Sequence, residues 1–535
     1  SAHTIAGGNW NGAPDGVLDV KGPNQLHYAN RGGELLGAKM ADLGLSDYRR
    51  TQLEGEFEHT RKGTDASVVM TRLDRWYVPT HTNFASFLWN ITVRTDLVWS
   101  FEDSDHQPVS LDIEPTVGER GKERPSIRED LVFKPEIQAK IRLLAEEAYK
   151  GNASKVNKWT KMLRELKHFL LTETKKLQKR EREESKQVRQ HLSFINAKMN
   201  AEGADNFDIV EEKRLKARLY SIQHPEAPHL ASAAKAKAMT DRSEACTFPF
   251  FKTYKDIGKQ SWINEIHSAE WVEDQEPKIK GTEARPGAIA NELSGYYKML
   301  FSPKDTSPAD RSDILRSLSK AAIQATSAAC LEKSIEDEEV REVMDALPLG
   351  KQAGPNRIPN AVYRCMSKTF APLLAPILRD VMSGKGRLPS HMLEGDITLL
   401  HKKNSRLDPR NYRPLTMLNT DYKIYTKILA NRLKTVVHEF VSSMQKGFVP
   451  DVFIAECTMA LNLIENHINE VPDERKGAFI FLDMEKAFDR VSYTYLTESL
   501  TALGFGPRFR RAVGAMYNTE APPRRRILAN GYYSG

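Results

Sequence analysis

A chain of 535 residues, 40% hydrophobic and 28% charged, has enough apolar content for ordinary cores and points to three or four domains at about 150 residues each. The formal net charge of +7 favours a polyanionic partner, because each neutralised phosphate releases counterions; many soluble proteins share so mild a balance, so charge permits nucleic acid without proving it. Membrane-spanning and disulfide-framework classes are excluded: the most apolar stretch, 370–382, is broken by Pro372, Pro376 and Arg379, and Cys246, Cys330, Cys365 and Cys457 lie far apart with no C-x-x-C pair. With no signal peptide either, a reducing compartment, cytoplasm or nucleus, is expected and no membrane partner.

The chain opens at Ser1 in what reads as mid-domain strand and closes after an Ala529-Asn530-Gly531 turn, so both ends read as cut. Residues 1–114 carry short strand-like runs at Ile5-Ala6, 73–78 and 109–113, bounded by Gly, Asp, Ser and Pro, a pattern that suits an α/β or sandwich core. Residues 115–130 read as a linker. From about 131 to 222 the pattern is helical and strongly charged: Trp159, Met162, Leu163, Leu166, Phe169 and Leu170 recur at helical spacing, and Lys175, Lys176, Lys179, Arg180 and Arg182 then interleave with Glu181, Glu183 and Glu184. That run suits a solvated helix with i,i+4 ion pairs better than a nucleic-acid contact. Residues 223–244 read as loosely ordered, and the aromatic clusters Phe248, Phe250, Phe251 and Tyr254, then Tyr296, Tyr297 and Phe301, suit a small core better than a base-stacking platform. A capping-box pattern at Ser334 introduces a helix with Val340, Val343, Met344 and Leu347 on one face. From there helices and strands alternate to the end.

Three segments at the N-terminal end carry chemistry: Gly7-Gly8-Asn9-Trp10-Asn11, Thr71-Arg72-Leu73-Asp74, and Ser104-Asp105-His106-Gln107-Pro108-Val109. Singly each is unremarkable, since Asp and Asn favour turns. In this order they resemble the G-G-D-x-N, R-[IL]-D and S-D-H-x-P-V segments of the apurinic/apyrimidinic-type endonuclease of LINE-type (non-LTR) retrotransposons. The resemblance implies the back half of a four-layer α/β sandwich that nicks one DNA strand with magnesium. On it, Asn11 orients the scissile phosphate, Asp74 holds the catalytic His106, and Asp105 is that histidine's acidic neighbour. Asn9 stands where the family has Asp. An amide takes no proton from water at neutral pH, and such a base is worth roughly 10²- to 10⁴-fold. The family's metal-binding Asn and Glu precede Ser1, so this chain is expected not to nick DNA.

Further on, 477–491 reads GAFIFLDMEKAFDRV. Residues 478–482 read as a buried strand ending in Asp483, and Asp489 as the start of a helix. From these residues alone, a metal-edge acid and a pair of helix caps fit equally well. The segment resembles motif A of LINE reverse transcriptases. Ahead of it, in the family's order, stand Lys351-Gln352-Ala353-Gly354-Pro355-Asn356, Ile397-Thr398-Leu399-Leu400-His401-Lys402-Lys403, Asn411-Tyr412-Arg413-Pro414-Leu415, Tyr422-Lys423-Ile424 and Gln445-Lys446-Gly447-Phe448-Val449-Pro450. The resemblance covers about 335–535 and implies reverse-transcriptase fingers and the first part of a palm. It makes Asp483 a carboxylate ligand to Mg²⁺ and Phe488 an aromatic gate against the ribose 2′ hydroxyl. Arg413, Lys402 and Lys403 become triphosphate contacts, or else trackers of the template backbone. Asn356 stands where the family has Asp, and Asp451-Val452 where it has Gly-Arg.

The sequence therefore reads as an α/β multidomain chain: a partial endonuclease (1–114), a charged, mostly helical linker (115–334) and a truncated reverse transcriptase (335–535). Its implied partners are template RNA, primer or target DNA, and deoxynucleotides. The family's Q-G-x-P-L-S-P and [FY]-A-D-D segments follow the point where the chain stops, so the chain itself is expected not to polymerise. The alternative is a non-catalytic nucleic-acid-binding relic or domesticated fragment.

Overall fold

The computed structural model describes short strands and one helix between residues 6 and 113, then residues 125–202, 205–223, 262–272, 275–302, 306–470, 478–517 and 523–535. The chain divides into two compact units, 1–117 with 175–255, and 118–174 with 256–535. The segment 115–334 is thus shared between them.

In the first unit the described strands are β1 (Ala6–Asn9), β2 (Val20–Lys21), β3 (Leu45–Asp47), β4 (Arg61–Lys62), β5 (Met70–Thr71), β6 (Asp74–Pro79), β7 (Leu88–Val93) and β8 (Val109–Ile113). They pair as antiparallel groups β1-β6-β3, β2-β5-β4 and β7-β8. Helix α1 (Gly33–Asp42) sets Met40 against Leu45 and Tyr77 in a small core. The expected strands at 73–78 and 109–113 are present as β6 and β8.

Helix α2 (Pro135–Tyr149) and the first part of α3 (Lys155–Glu202) belong to the second unit, while the rest of α3 and α4 (Asn206–Gln223) belong to the first. The helical spacing read from 159 to 170 marks a real face: Trp159, Met162, Leu163, Leu166 and Leu170 are buried. Beyond residue 175 the charged helix is largely exposed and holds a Lys179–Glu183 i,i+4 pair at 3.9 Å; Leu192, Ile195 and Met199 turn inward onto Leu215 and Leu219 of α4.

The second unit continues with a hairpin of β9 (Ile266–Glu270) and β10 (Lys278–Glu283), then α5 (Pro286–Leu300), α6 (Pro308–Ser319), α7 (Ala325–Leu331), α8 (Asp337–Asp345), α9 (Asn360–Cys365) and α10 (Ser367–Ser383). Strands β11 (Glu394–His401) and β12 (Tyr412–Leu418) follow, then α11 (Thr420–Lys434), α12 (Val437–Phe440), α13 (Ala455–Glu470), α14 (Tyr493–Ala502) and α15 (Pro507–Gly514), and last β13 (Arg524–Ala529) and β14 (Tyr532–Tyr533). The sheet runs β12-β11-β13-β14, with β11 antiparallel to β12 and parallel to β13. One face, Ile397, Leu399, Tyr412, Ile527 and Ala529, packs on Ile289, Leu293, Tyr296 and Tyr297 of α5. A larger helical core joins Trp159 and Leu166 of α3 to Val340, Phe370, Leu374, Tyr425 and Phe509. Tyr296 and Tyr297 are core residues, as expected, while Phe301 beside them is exposed; Phe248, Phe250, Phe251, Tyr254 and residues 224–244 lie outside the described residues. Among the described residues no helix is long and apolar enough to cross a membrane.

The expected capping box at Ser334 does not form. Helix α8 begins at Asp337, so its N-cap is Glu336 rather than Ser334, with no side-chain cap, and the Ser334 carbonyl accepts from the Arg432 guanidinium at 3.0 Å. Asp337, Glu338 and Glu339 in the first turn answer the helix dipole instead. The apolar face Val340, Val343 and Met344 is buried as read. Arg432 pairs with both oxygens of Glu339 at 2.8 and 2.7 Å and also donates to the carbonyls of Leu331 and Lys333. Removing it strands a half-buried carboxylate and several carbonyls at once. Arg432→Ala is expected to lower stability by roughly 3 kcal/mol, read as a shift in urea midpoint; a change under about 0.5 kcal/mol, the range of ordinary surface substitutions, would show the cluster to be idle.

Candidate functional site

The N-terminal constellation is partly in view. Strands β1 and β6 run antiparallel in a register that sets Asn9 directly across from Asp74, so two of the expected residues share one ladder position at the sheet's end. Strand β8, which follows the Ser104-Asp105-His106 segment, lies against β6. Asn11, Asp105 and His106 lie outside the described residues.

In the second unit the β11–β12 hairpin carries the expected cations. Side chains alternate along a strand, so burying Tyr412 on α5 throws Arg413 to the opposite, exposed face, across from Leu400. Farther along that face Arg526 pairs with Asp396 at 2.7 Å and lies over the Tyr533 ring. Lys402 and Lys403 follow β11 and are exposed; the Lys402 N–H closes the hairpin onto the Asn411 carbonyl at 3.0 Å.

Behind the hairpin lies a buried polar knot that sequence reasoning missed. Asn419, Thr420 and Asp421 are completely buried. The Lys351–Pro359 loop docks here through Gly354, where an added Cβ would lie 2.4 Å from the Leu418 carbonyl carbon; only glycine lets the loop approach so closely. The Asn356 N–H donates to Asn419 Oδ1 at 2.9 Å, and Thr420 Oγ1 donates to Asn360 Oδ1 at 3.0 Å. Asp421 Oδ2 accepts from the Trp159 indole at 3.2 Å and meets His391 Nε2 at 2.6 Å. The signal available was the Asp421-Tyr422-Lys423 run and the helical stripe holding Trp159, but nothing in the sequence joins residues 159, 391 and 421.

The motif-A segment departs from expectation. Residues 478–482 form no strand, and Ile480, Phe481 and Leu482 are 83, 79 and 87% exposed. A strand exists only where a neighbour completes its ladder, and among the described residues none runs beside this one. Asp489 does not begin a helix either: residues 485–490 are turns, and α14 starts at Tyr493, with Ser492 Oγ accepting the Tyr495 N–H. Asp483 is exposed. Lys486 instead anchors the turn, donating from Nζ to the Arg410 carbonyl at 3.0 Å and, more weakly, to the Tyr412 carbonyl at 3.5 Å. Burial pushes the Lys486 ammonium down, against Asp489 and Glu485, and burial lifts the Asp489 carboxyl, against Lys486. The turn also lies near α5: burial raises Tyr296 to about 12, with Glu485 and Asp408 adding to it. Phe488 is exposed and meets the Phe448 ring edge-on at 5.9 Å.

A two-ion site needs several carboxylates around the metals. Among the described residues no three His, Cys, Asp or Glu side chains converge, so the donor set in view, with Asp483 exposed and without such neighbours, does not fit the Mg²⁺ pair.

Burial pushes His391 down, but the Asp421 carboxylate outweighs it and the imidazole titrates above its ordinary 6.5. A raised pKa means stabilisation present in full below the unfolded value and lost as pH climbs through the folded one. Glu394 acts in the same direction as Asp421. The unfolding free energy of the wild type minus that of His391→Gln is expected to fall as pH rises above 6.5, starting from about 1.5–3 kcal/mol, the range for a hydrogen bond to a charged group. A pH-independent difference would show that the pair is neutral.

A family model described as reverse transcriptase (RNA-dependent DNA polymerase) matches residues 400–532. Over 522 residues the chain is 24% identical to the transposon TX1 uncharacterized 149 kDa protein of Xenopus laevis, covering 96% of this chain and 38% of the relative. It is 31% identical over 162 residues to the RNA-directed DNA polymerase from mobile element jockey of Drosophila melanogaster, covering 29% of this chain and 17% of the relative. To the retrovirus-related Pol polyprotein from type-1 retrotransposable element R2 of Nasonia vitripennis it is 26% identical over 169 residues, covering 31% and 15%. The chain therefore spans well under half the length of these curated relatives. These matches make the chain similar to non-LTR retrotransposon polyproteins, with a reverse transcriptase domain matched at residues 400–532.

Proposed function

We propose that the chain is the part of a retrotransposon RNA-directed DNA polymerase that joins a DNA-nicking endonuclease to the polymerase fingers, in a protein that primes copying of its RNA from a nicked target. The layout is a partial endonuclease sandwich at 1–114, a helical linker at 115–334, and fingers with the first part of a palm at 335–535. The observation that carries this reading is the β11–β12 hairpin, whose turn and second strand lie in the family-matched segment 400–532, presenting Arg413 on an open face with Lys402 and Lys403 at its turn. Cations held on a rigid strand suit the charge of a triphosphate or a template backbone. Phe488 is the gate that excludes the ribose 2′ hydroxyl, and Asp483 supplies one metal-binding carboxylate. At the other end, Asp74, Asp105, His106 and Asn11 are the nuclease remnant, and the facing of Asn9 and Asp74 supports their sharing one site.

A second reading has its own observation. With Asn9 where a base would stand, and Asp483 without converging partners among the described residues, the 535-residue chain acts alone as a binder of nucleic acid. It is expected to bind single-stranded RNA with an affinity that falls steeply with salt, and Arg413→Ala with Lys402→Ala to flatten the slope of log K against log salt by about 1.4, at about 0.7 per phosphate contact. An unchanged slope would assign those cations to the triphosphate instead. Extension of a primed RNA template by this chain above background would refute its being a binder only. Magnesium-dependent nicking of supercoiled plasmid would do the same for the nuclease remnant; the expected result is no nicking, consistent with losing a base worth roughly 10²- to 10⁴-fold.

A further inference from the structure

A steric gate discriminates only if its ring has nowhere to go. Phe488 is 81% exposed and sits in a run of turns with no strand beneath it among the described residues, so the described fold around it supplies little restraint. Two contacts supply it instead. Lys486 adopts a left-handed backbone, φ 51°, which curls the turn so that its own carbonyl accepts the N–H groups of Asp489 and Arg490 at 3.0 and 3.1 Å. Its ammonium reaches across to the carbonyls of Arg410 and Tyr412. The Tyr412 carbonyl is fixed in turn by the Tyr297 hydroxyl at 3.0 Å, and the next residue along that strand is Arg413. The turn is thus tied to the strand that presents the candidate triphosphate cation. From the other side comes Phe448, itself left-handed at φ 62° and 96% exposed. A large apolar ring held out at this backbone angle is unusual for a β-carbon-bearing residue, and its described ring partner is Phe488, met at 90°.

We propose that Lys486 and Phe448 are positioning residues that seat Phe488, and that the seat sets how strongly the polymerase prefers deoxynucleotides to ribonucleotides. The inference rests on the reading of Phe488 as the gate. Lys486 fixes the backbone of the gate relative to Arg413, and Phe448 closes the direction in which the ring would swing away from a 2′ hydroxyl.

The test is the ratio of kcat/KM for a deoxynucleotide to that for its ribonucleotide, measured in the full-length polyprotein. Phe488→Ala is expected to collapse the ratio. Phe448→Ala is expected to lower it about two- to tenfold, the scale of one edge-on aromatic contact, and Lys486→Met by a similar factor, with Lys486→Arg restoring most of it. A residue that merely supported folding would lower both rates together and leave the ratio alone. If Phe488→Ala collapses the ratio while Phe448→Ala and Lys486→Met leave it at the wild-type value, the seat is refuted and the gate stands. If Phe488→Ala leaves the ratio unchanged, the gate reading fails and the seat falls with it. Amide hydrogen exchange on the 535-residue chain reads the restraint directly: Lys486→Met is expected to speed exchange within 485–490 and not in β11 or β12. Unchanged exchange there would overturn the role given to Lys486.

Discussion

The second unit is organised around one costly burial, that of the Asp421 carboxylate. An ionised carboxylate out of water is tolerated only when surrounded by donors, and here the donors come from remote parts of the chain: the Trp159 indole of α3 and the His391 imidazole just before β11. Asn419 and Thr420 beside it draw in the 351–360 loop through Asn356 and Asn360. Each of these groups left unmatched would cost about 1–3 kcal/mol, so the segments are held in register by what they would otherwise leave unpaired. The knot lies where β12 passes into α11, and it therefore fixes the strand on which Arg413 stands.

From that fixed point the rest of the hairpin is a matter of alternation. Tyr412, pinned by burial and by the Tyr297 hydroxyl on its carbonyl, commits the adjacent side chain to the far face, and the same carbonyl becomes an acceptor for Lys486. Helix α5, from a stretch whose composition reads as linker, thereby supports the strand that bears the candidate chemistry. Segment 115–334 does more than join two parts: residues 131–174 and 262–300 contribute to both cores of the second unit.

The motif-A segment shows the opposite condition. Its apolar run 478–482 has the composition of a central strand, yet its side chains stand in solvent. Backbone N–H and C=O groups gain nothing from an extended conformation without a neighbouring ladder, so the run stays irregular, and a single lysine and a facing phenylalanine do the positioning that a sheet would otherwise do. Exposed apolar surface of this kind marks an interaction face, and the side chains of Phe453, Ile454 and Leu463 are exposed as well.

What the sequence determined by itself was local. Helical spacing at 159–170 and 340–347, strands at 73–78 and 109–113, and the ordered motifs from Lys351 to Val491 were legible because periodicity and motif order are properties of neighbouring residues. The tertiary structure alone decided which distant groups met: that Asp421 would need Trp159 and His391, that Gly354 would lie on the Leu418–Asn419 peptide, that Arg432 would join Glu339 to the Ser334 carbonyl, and that Lys486 would reach Arg410. It also decided that 478–482 would not be a strand. The reason is the same in each case. A side chain's hydrogen-bond capacity and an extended run's ladder are demands written locally, but the groups that satisfy them are supplied by the fold.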